Sequence, residues 1–343
     1  MVAGVDSVLV SAWIDSHVDT LVAPCSFEII GGGRSNLTFR GVDAAGAPFV
    51  LRRPPIGEVL ATAHDMVREF RVISALHPTA VPVPTPIGLC EDPAVNDAAF
   101  YLMSFVDGVV LDSVDVAEPI AAGARATLTS HLVAVLADLH DVDIDTVGLG
   151  DFGRREGYIE RQVARWSKQW AGSKTRDIAS IDDVAAQLAT RVPHQQRVSV
   201  VHGDYRFGNL VVDPAVGTIH AVLDWELCTL GDPLADVGYL GVHWAGEDGT
   251  AHRPNDPTAA GGFGPFGDVV TTYAERTGLD LDDIDYYVAF QCWRSAVIIE
   301  GVYARFLAGA MGDQVLDDAT LAELRDAPPQ LVARAADALA GVR

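Results

Sequence analysis

Apolar positions in the first hundred residues change period three times, and each change marks an element. Over residues 27–39 they alternate with polar ones around a glycine cluster, which predicts strand, turn and strand, and residues 49–52 continue as a third strand. Val59, Leu60, Ala63, Met66, Val67, Phe70, Ile73 and Leu76 then fall at helical spacing. That predicts an amphipathic helix over 56–76, stopped by His77-Pro78. Pro82, Pro84 and Pro86 make an extended connector, and strands follow at 87–90 and 100–105. Residues 1–25 read as a leading helix or arm.

The rest is mostly helical in period. Leu128, Leu132, Val135, Leu136 and Leu139 place one helix before His140, and residues 158–170 form another. Val211-Val212 and Ala221-Val222-Leu223 read as a strand pair around a Pro214/Gly217 turn. Further helices are expected at 269–277, 286–307 and 321–339. Residues 261–267, with four glycines, read as a loop. The expectation is an α+β, two-lobed fold: a small β-rich lobe over 1–106, ending at a hinge near 104–107, and a larger, mainly helical lobe over 107–343.

Composition narrows the setting. Hydrophobic residues make up 49% and charged residues 21% of the 343, enough for a sizeable core. Residues 1–9 lack the basic region of a secretory signal. The greasiest stretch, 286–311, is broken by Arg294, Glu300 and Arg305, so it suits a buried helix better than a membrane span. Four scattered cysteines form no C-x-x-C pair, which argues against zinc or a disulfide framework. A cytoplasmic protein is expected, bound to neither membrane nor nucleic acid, since the net charge is −23. The charge is uneven: residues 154–176 hold seven basic against two acidic residues.

The chemistry concentrates in His202-Gly203-Asp204-Tyr205-Arg206-Phe207-Gly208-Asn209 and Leu223-Asp224-Trp225-Glu226. An Asp and an Asn on one short loop, then an Asp returned by a strand pair, is the order in which a kinase-type site places its groups. Asp204 suits the base that accepts a hydroxyl proton, and Asn209 and Asp224 suit magnesium ligands, because hard oxygen donors favour that ion over zinc. His202 reads as structural. Asp232 and Asp236 read as helix caps, and Arg206 as an acceptor contact. Upstream, Gly32, Gly33 and Ser35 lie between strands, where backbone N–H groups can approach phosphate. Where kinases carry a strand lysine, this chain has Arg52 followed by Arg53, and Glu69 is the natural helix partner. Which arginine takes the role is left open by the sequence.

These stretches, with Gly231-Asp232-Pro233-Leu234-Ala235-Asp236, resemble the aminoglycoside phosphotransferase/choline kinase family of small-molecule kinases. The branch that includes the kinase-like domain attached to some acyl-CoA dehydrogenases is especially similar. The resemblance runs from about residue 26 to residue 306. It implies a protein-kinase-like fold, ATP (less often GTP) with Mg2+, and phosphoryl transfer to a small-molecule hydroxyl, with Ser104 and Phe105 at the hinge beside the nucleotide. Protein kinases fit less well, because the interval from Asp224 to Asp236 is too short for a long activation segment.

Three functions are carried forward. The first is an active kinase of a hydroxylated metabolite, for which the basic helix with Arg161 and Arg165 points to an anionic acceptor such as a hydroxyacyl-CoA. The second is an aminoglycoside 3'-type phosphotransferase, and the third a nucleotide-binding pseudokinase serving as an interaction module. The oligomeric state is open.

Overall fold

Alternation in the amino-terminal part produces a five-stranded antiparallel sheet in the computed structural model, which describes residues 2–31, 36–56, 65–246, 255–309 and 316–341. Its strands are β1 (Ser26–Gly31), β2 (Leu37–Val42), β3 (Pro48–Arg53), β4 (Pro86–Cys90) and β5 (Phe100–Ser104), in the order β1-β2-β3-β5-β4. Phe39, Phe49, Leu51, Phe100 and Leu102 are fully buried and share a core with Val10 and Ile14. Those two come from a helix, Ser7–His17, whose N-cap Asp6 accepts hydrogen bonds from Val8 N and Leu9 N. The leading segment therefore covers one face of this sheet.

The helix expected over 56–76 begins later, at Met66, and runs to Leu76. Asp65 is extended (φ −89°, ψ 93°) and its carboxylate accepts from Arg68 N, so it caps the helix that starts at Met66. Ile56 is outside it, and residues 57–64 lie outside the described residues. The expected hairpin is present as Leu210–Asp213 and Thr218–Val222, joined by Val109–Val110 in a three-stranded sheet. Val222 N donates to Pro82 O at 2.8 Å, tying the hairpin to the proline connector. One compact unit thus comprises residues 1–111, 144–150 and 209–228.

The other unit comprises residues 112–143, 151–208 and 229–343. It is built from the helices Ala122–Asp141, Tyr158–Ser173, Ile181–Thr190, Leu234–Val242, Phe266–Thr277, Ile284–Leu307 and Asp318–Leu339, with a two-strand ladder of Ser199–Val201 against Thr229–Gly231. The apolar stretch near 286–311 is the helix Ile284–Leu307, which is largely buried, charged Arg294 and Glu300 included. Gly238 lets this helix approach closely, since a Cβ there would stand 2.6 Å from the Tyr287 backbone. Phe266 and Gly267, expected in the glycine-rich loop, instead open the helix Phe266–Thr277 after Pro265, an extended N-cap (φ −74°, ψ 151°). No helix among the described residues is long and apolar enough to cross a membrane.

Candidate active site

Strand alternation decides what the two arginines of β3 can reach, because neighbouring side chains leave opposite faces. Arg52 Nε donates to Glu69 Oε2 at 2.9 Å, and Nη2 pairs with Asp224 Oδ1. Arg53 turns the other way, with Nη1 on Gly4 O (2.6 Å) and Asp97 Oδ1 (2.7 Å). The arginine that joins the acids is Arg52.

Further polar groups close around it. Tyr101 O–H donates to Glu69 Oε2 at 3.0 Å, and Asn36 Nδ2 donates to Glu69 Oε1 (2.7 Å) and to Glu226 Oε2 (3.2 Å). Burial pushes the Glu69 carboxyl above its usual range, with Asp224 adding to the rise and Arg52 opposing it. Burial works against the Arg52 charge, but Tyr101, Glu69, Asp224 and Glu226 outweigh it and hold the guanidinium more firmly protonated. Asp224 sits at φ 64°, a left-handed conformation that a residue other than glycine rarely adopts. Leu223 N donates to Asn209 O at 2.8 Å, which brings the segments carrying Asn209 and Asp224 side by side. An amide and a carboxylate are hard donors of the kind that fit Mg2+, which takes one or two carboxylates and keeps several waters.

The other predicted residues of this unit are placed as follows. Ser104 Oγ accepts from Thr85 N at 2.9 Å, and the Phe105 ring lies 5.4 Å from the Arg40 guanidinium. Gly32, Gly33 and Ser35 lie outside the described residues.

In the second unit, Asp204 follows a loop held from below. Asp236 is completely buried, and its carboxylate accepts from His202 N (2.7 Å) and Gly203 N (2.8 Å). His140 Nε2 lies 3.2 Å from the same carboxylate, with Nδ1 2.7 Å from the Tyr273 hydroxyl. A carboxylate only accepts, so Nε2 carries a proton toward it. Asp236 was expected to cap a helix; instead it bonds backbone outside its own helix, because its position in the first turn of Leu234–Val242 turns it toward that loop. Asp232 does meet its own helix start, accepting from Leu234 N at 3.1 Å, and takes the Tyr287 O–H at 2.8 Å. Burial raises the Asp232 carboxyl, against the pull of those two bonds.

Two guanidinium groups flank the loop. Arg206 Nε is 3.5 Å from Asp204 Oδ1, and Asp204, Tyr239 and Asp256 together outweigh burial and raise its affinity for the proton. Arg294, which sequence reasoning passed over, reaches Gly203 O with Nη1 (3.4 Å) and lies against the faces of Trp166 and Tyr239. On the basic helix, half-buried Arg161 donates to Arg154 O at 3.0 Å and exposed Arg165 stacks on Trp166. Arg176, from the same basic segment, is paired internally with buried Glu300 at 2.8 Å.

Comparisons with known proteins bear on the family and the fold. Residues 26–268 match the family model described as the phosphotransferase enzyme family, APH. The chain is 36% identical over 284 residues to acyl-CoA dehydrogenase family member 10 of Mus musculus, covering 81% of this chain and 26% of that protein. It is 33% identical over 282 residues to acyl-CoA dehydrogenase family member 11 of Rattus norvegicus, covering 81% and 36%. It thus spans about a quarter to a third of the length of these curated relatives. A solved protein of Ralstonia eutropha, provisionally named an aminoglycoside phosphotransferase, is 32% identical with a TM-score of 0.84 over 98% of this chain and 99% of that one. The GDP complex of aminoglycoside 2'-phosphotransferase-IIIa, 15% identical with a TM-score of 0.63 over 96% and 99%, shares the fold.

Proposed function

The chain belongs to the phosphotransferase enzyme family, and from that premise we propose that it moves the γ-phosphate of ATP to a hydroxyl of a small-molecule metabolite, with GTP as the alternative donor. The observation that carries this reading is the Arg52 cluster, in which one guanidinium joins Glu69 and Asp224. A fixed cation beside hard oxygen ligands is what a triphosphate site requires. In this reading Asp204 is the catalytic residue and accepts the proton of the attacking hydroxyl. Asn209 and Asp224 would hold Mg2+, which when bound neutralises charge on the phosphate oxygens. Arg52, oriented by Glu69, steadies the phosphates together with Gly32, Gly33 and Ser35. Ser104 and Phe105 border the nucleotide, and Arg206, Arg161 and Arg165 serve the acceptor.

The acceptor we favour is a hydroxyacyl-CoA. The curated relatives are named as acyl-CoA dehydrogenases, and the basic helix suits an anionic carrier. The net charge of −23 supports a small-molecule acceptor over nucleic acid, and a cytoplasmic setting goes with it.

The test is ADP release with ATP and Mg2+ across a panel of hydroxyacyl-CoAs, aminoglycosides, sugars and choline-like alcohols. Asp204→Asn should lower turnover about 10²–10⁴-fold while leaving nucleotide affinity unchanged. A full-rate Asp204→Asn protein removes Asp204 as the base. Nucleotide binding without turnover on any acceptor leaves the pseudokinase reading.

A further inference from the structure

The glycine-rich run at 261–267 has no part in the phosphotransfer chemistry described above, yet it lines a cavity of about 420 Å3 in the second unit. Phe263 and Pro265 of that run face it, its other walls are Trp244, Ala245, Gly246 and Thr258, and no charged side chain belongs to the described lining. Gly261, Gly262 and Gly264 have φ of 73°, 77° and 79°, conformations that side-chain-bearing residues avoid. A Cβ added at Gly261 or Gly264 would meet nothing within 4 Å.

The cavity connects by packing to the loop that carries Asp204. Phe207, three residues after Asp204, places its ring 5.0 Å from that of Phe263 and 6.0 Å from that of Trp244. A smaller hollow of about 10 Å3 is lined by Arg206, His243, Asp256 and, again, Trp244. There Asp256 Oδ1 takes a hydrogen bond from His243 Nδ1 at 3.0 Å, while Oδ2 is buried and has no hydrogen-bond partner among the described residues. Arg206 lies close enough to Asp256 to feel its charge. The Asp256 charge is therefore offset already, and its free oxygen suits a neutral donor such as a hydroxyl or amide.

Resting on the phosphotransferase reading, we propose that this cavity holds the apolar body of the phosphate acceptor, whose hydroxyl faces Asp204 and Arg206. The acceptor is then a hydroxylated compound with a hydrocarbon part and no positive charge in that part. A polyamine-bearing sugar would set desolvated ammonium groups against Trp244, Phe263 and Pro265, with no carboxylate among the described lining to pair them. Arg206 would repel them as well.

The experiment measures binding, so that it stands apart from turnover. Affinities of 1-butanol, 1-hexanol and 1-octanol for the full chain are determined by calorimetric titration or saturation-transfer NMR. Affinity should rise about fourfold per added methylene. The same series should persist in Asp204→Asn and flatten in Ala245→Phe, which fills the cavity from a lining position outside the glycines. Ala245→Leu serves if the larger ring prevents folding, as judged by thermal denaturation. Any compound that stimulates ADP release should displace 1-octanol. The proposal is overturned by a flat series in the wild type, by an unchanged series in a folded Ala245 variant, by displacement of 1-octanol by choline or kanamycin, or by an acceptor that is turned over without displacing it. If no compound is phosphorylated, the reaction proposed above fails its own test, and the alkanol series still decides what the cavity binds.

Discussion

The two units hold their candidate acids by different physics. In the first, Asp224 is held by a cation, Arg52, which also binds Glu69, and 29% of the Asp224 side chain stays exposed. In the second, the loop bearing Asp204 is held through neutral N–H groups on the wholly buried Asp236. A charge-held group responds to ions and ligands that compete for the cation. A group held by buried backbone hydrogen bonds responds to little short of unfolding. The difference suits their proposed tasks, since a metal ligand must exchange partners during turnover whereas a base must keep its aim.

Removing Asp236 should break the comparison most severely. Asp236→Ala strands two backbone donors and His140 in a dry site, and should reduce the unfolding free energy by about 3–5 kcal/mol, read by urea denaturation. Asp236→Asn keeps the shape and should recover part of the loss. A wild-type midpoint in Asp236→Ala would mean that the loop is held by something else.

Arg52→Ala should cost less, about 2–3 kcal/mol, because the guanidinium is not fully enclosed. It should also abolish magnesium-dependent nucleotide binding, and Arg52→Lys should restore part of it. Arg53→Ala is the sharper control. It frees Gly4 O and Asp97, so it should lower thermal stability and leave nucleotide affinity alone. The reverse pattern would move the phosphate-binding role to Arg53.

The smallest effect concerns burial without a charged partner. Cys292, in the helix Ile284–Leu307, has its thiol pushed up to about 11 from 9.0 by burial, with Arg334 opposing. The unfolded chain therefore ionises first, and stability is whole below pH 9 and lost as pH rises toward 11. The loss is about 2 kcal/mol at pH 11. In Cys292→Ala, urea midpoints from pH 8 to 11 should fall less steeply. An identical slope would assign the alkaline loss to other buried groups.

How much of this was legible follows the kind of signal each part leaves. Strand alternation and helical period marked the five strands, the 210–222 hairpin and the long helix at 284–307. The order of Asp204, Asn209 and Asp224 pointed to the family before any coordinates. Asp236 was misread because its partners are backbone N–H groups, which no side-chain pattern advertises. Asn36, Tyr101 and Glu226 were missed as parts of the Arg52 cluster because each meets it only through residues 32 or more positions away in sequence. The helix start was misplaced because apolar period continues through 59–76 regardless of the cap that Asp65 supplies. Glu226 did leave a trace, two residues after Asp224, and Arg294 left another as a charge inside an otherwise greasy helix.

The makeup of the first unit bears on synthesis. Its sheet strands and Arg52 leave the ribosome well before its last segment, which ends at Cys228 and arrives after residues 112–143 and 151–208 of the other unit. Amino-terminal domains commonly fold while the rest is still being made. Here the nascent sheet waits with Arg52 and Glu69 in place and without Asp224, and Pro82 O has no Val222 N to meet until the hairpin is delivered. Vectorial folding of this polypeptide is therefore interleaved, and the first unit closes only once Cys228 has been translated.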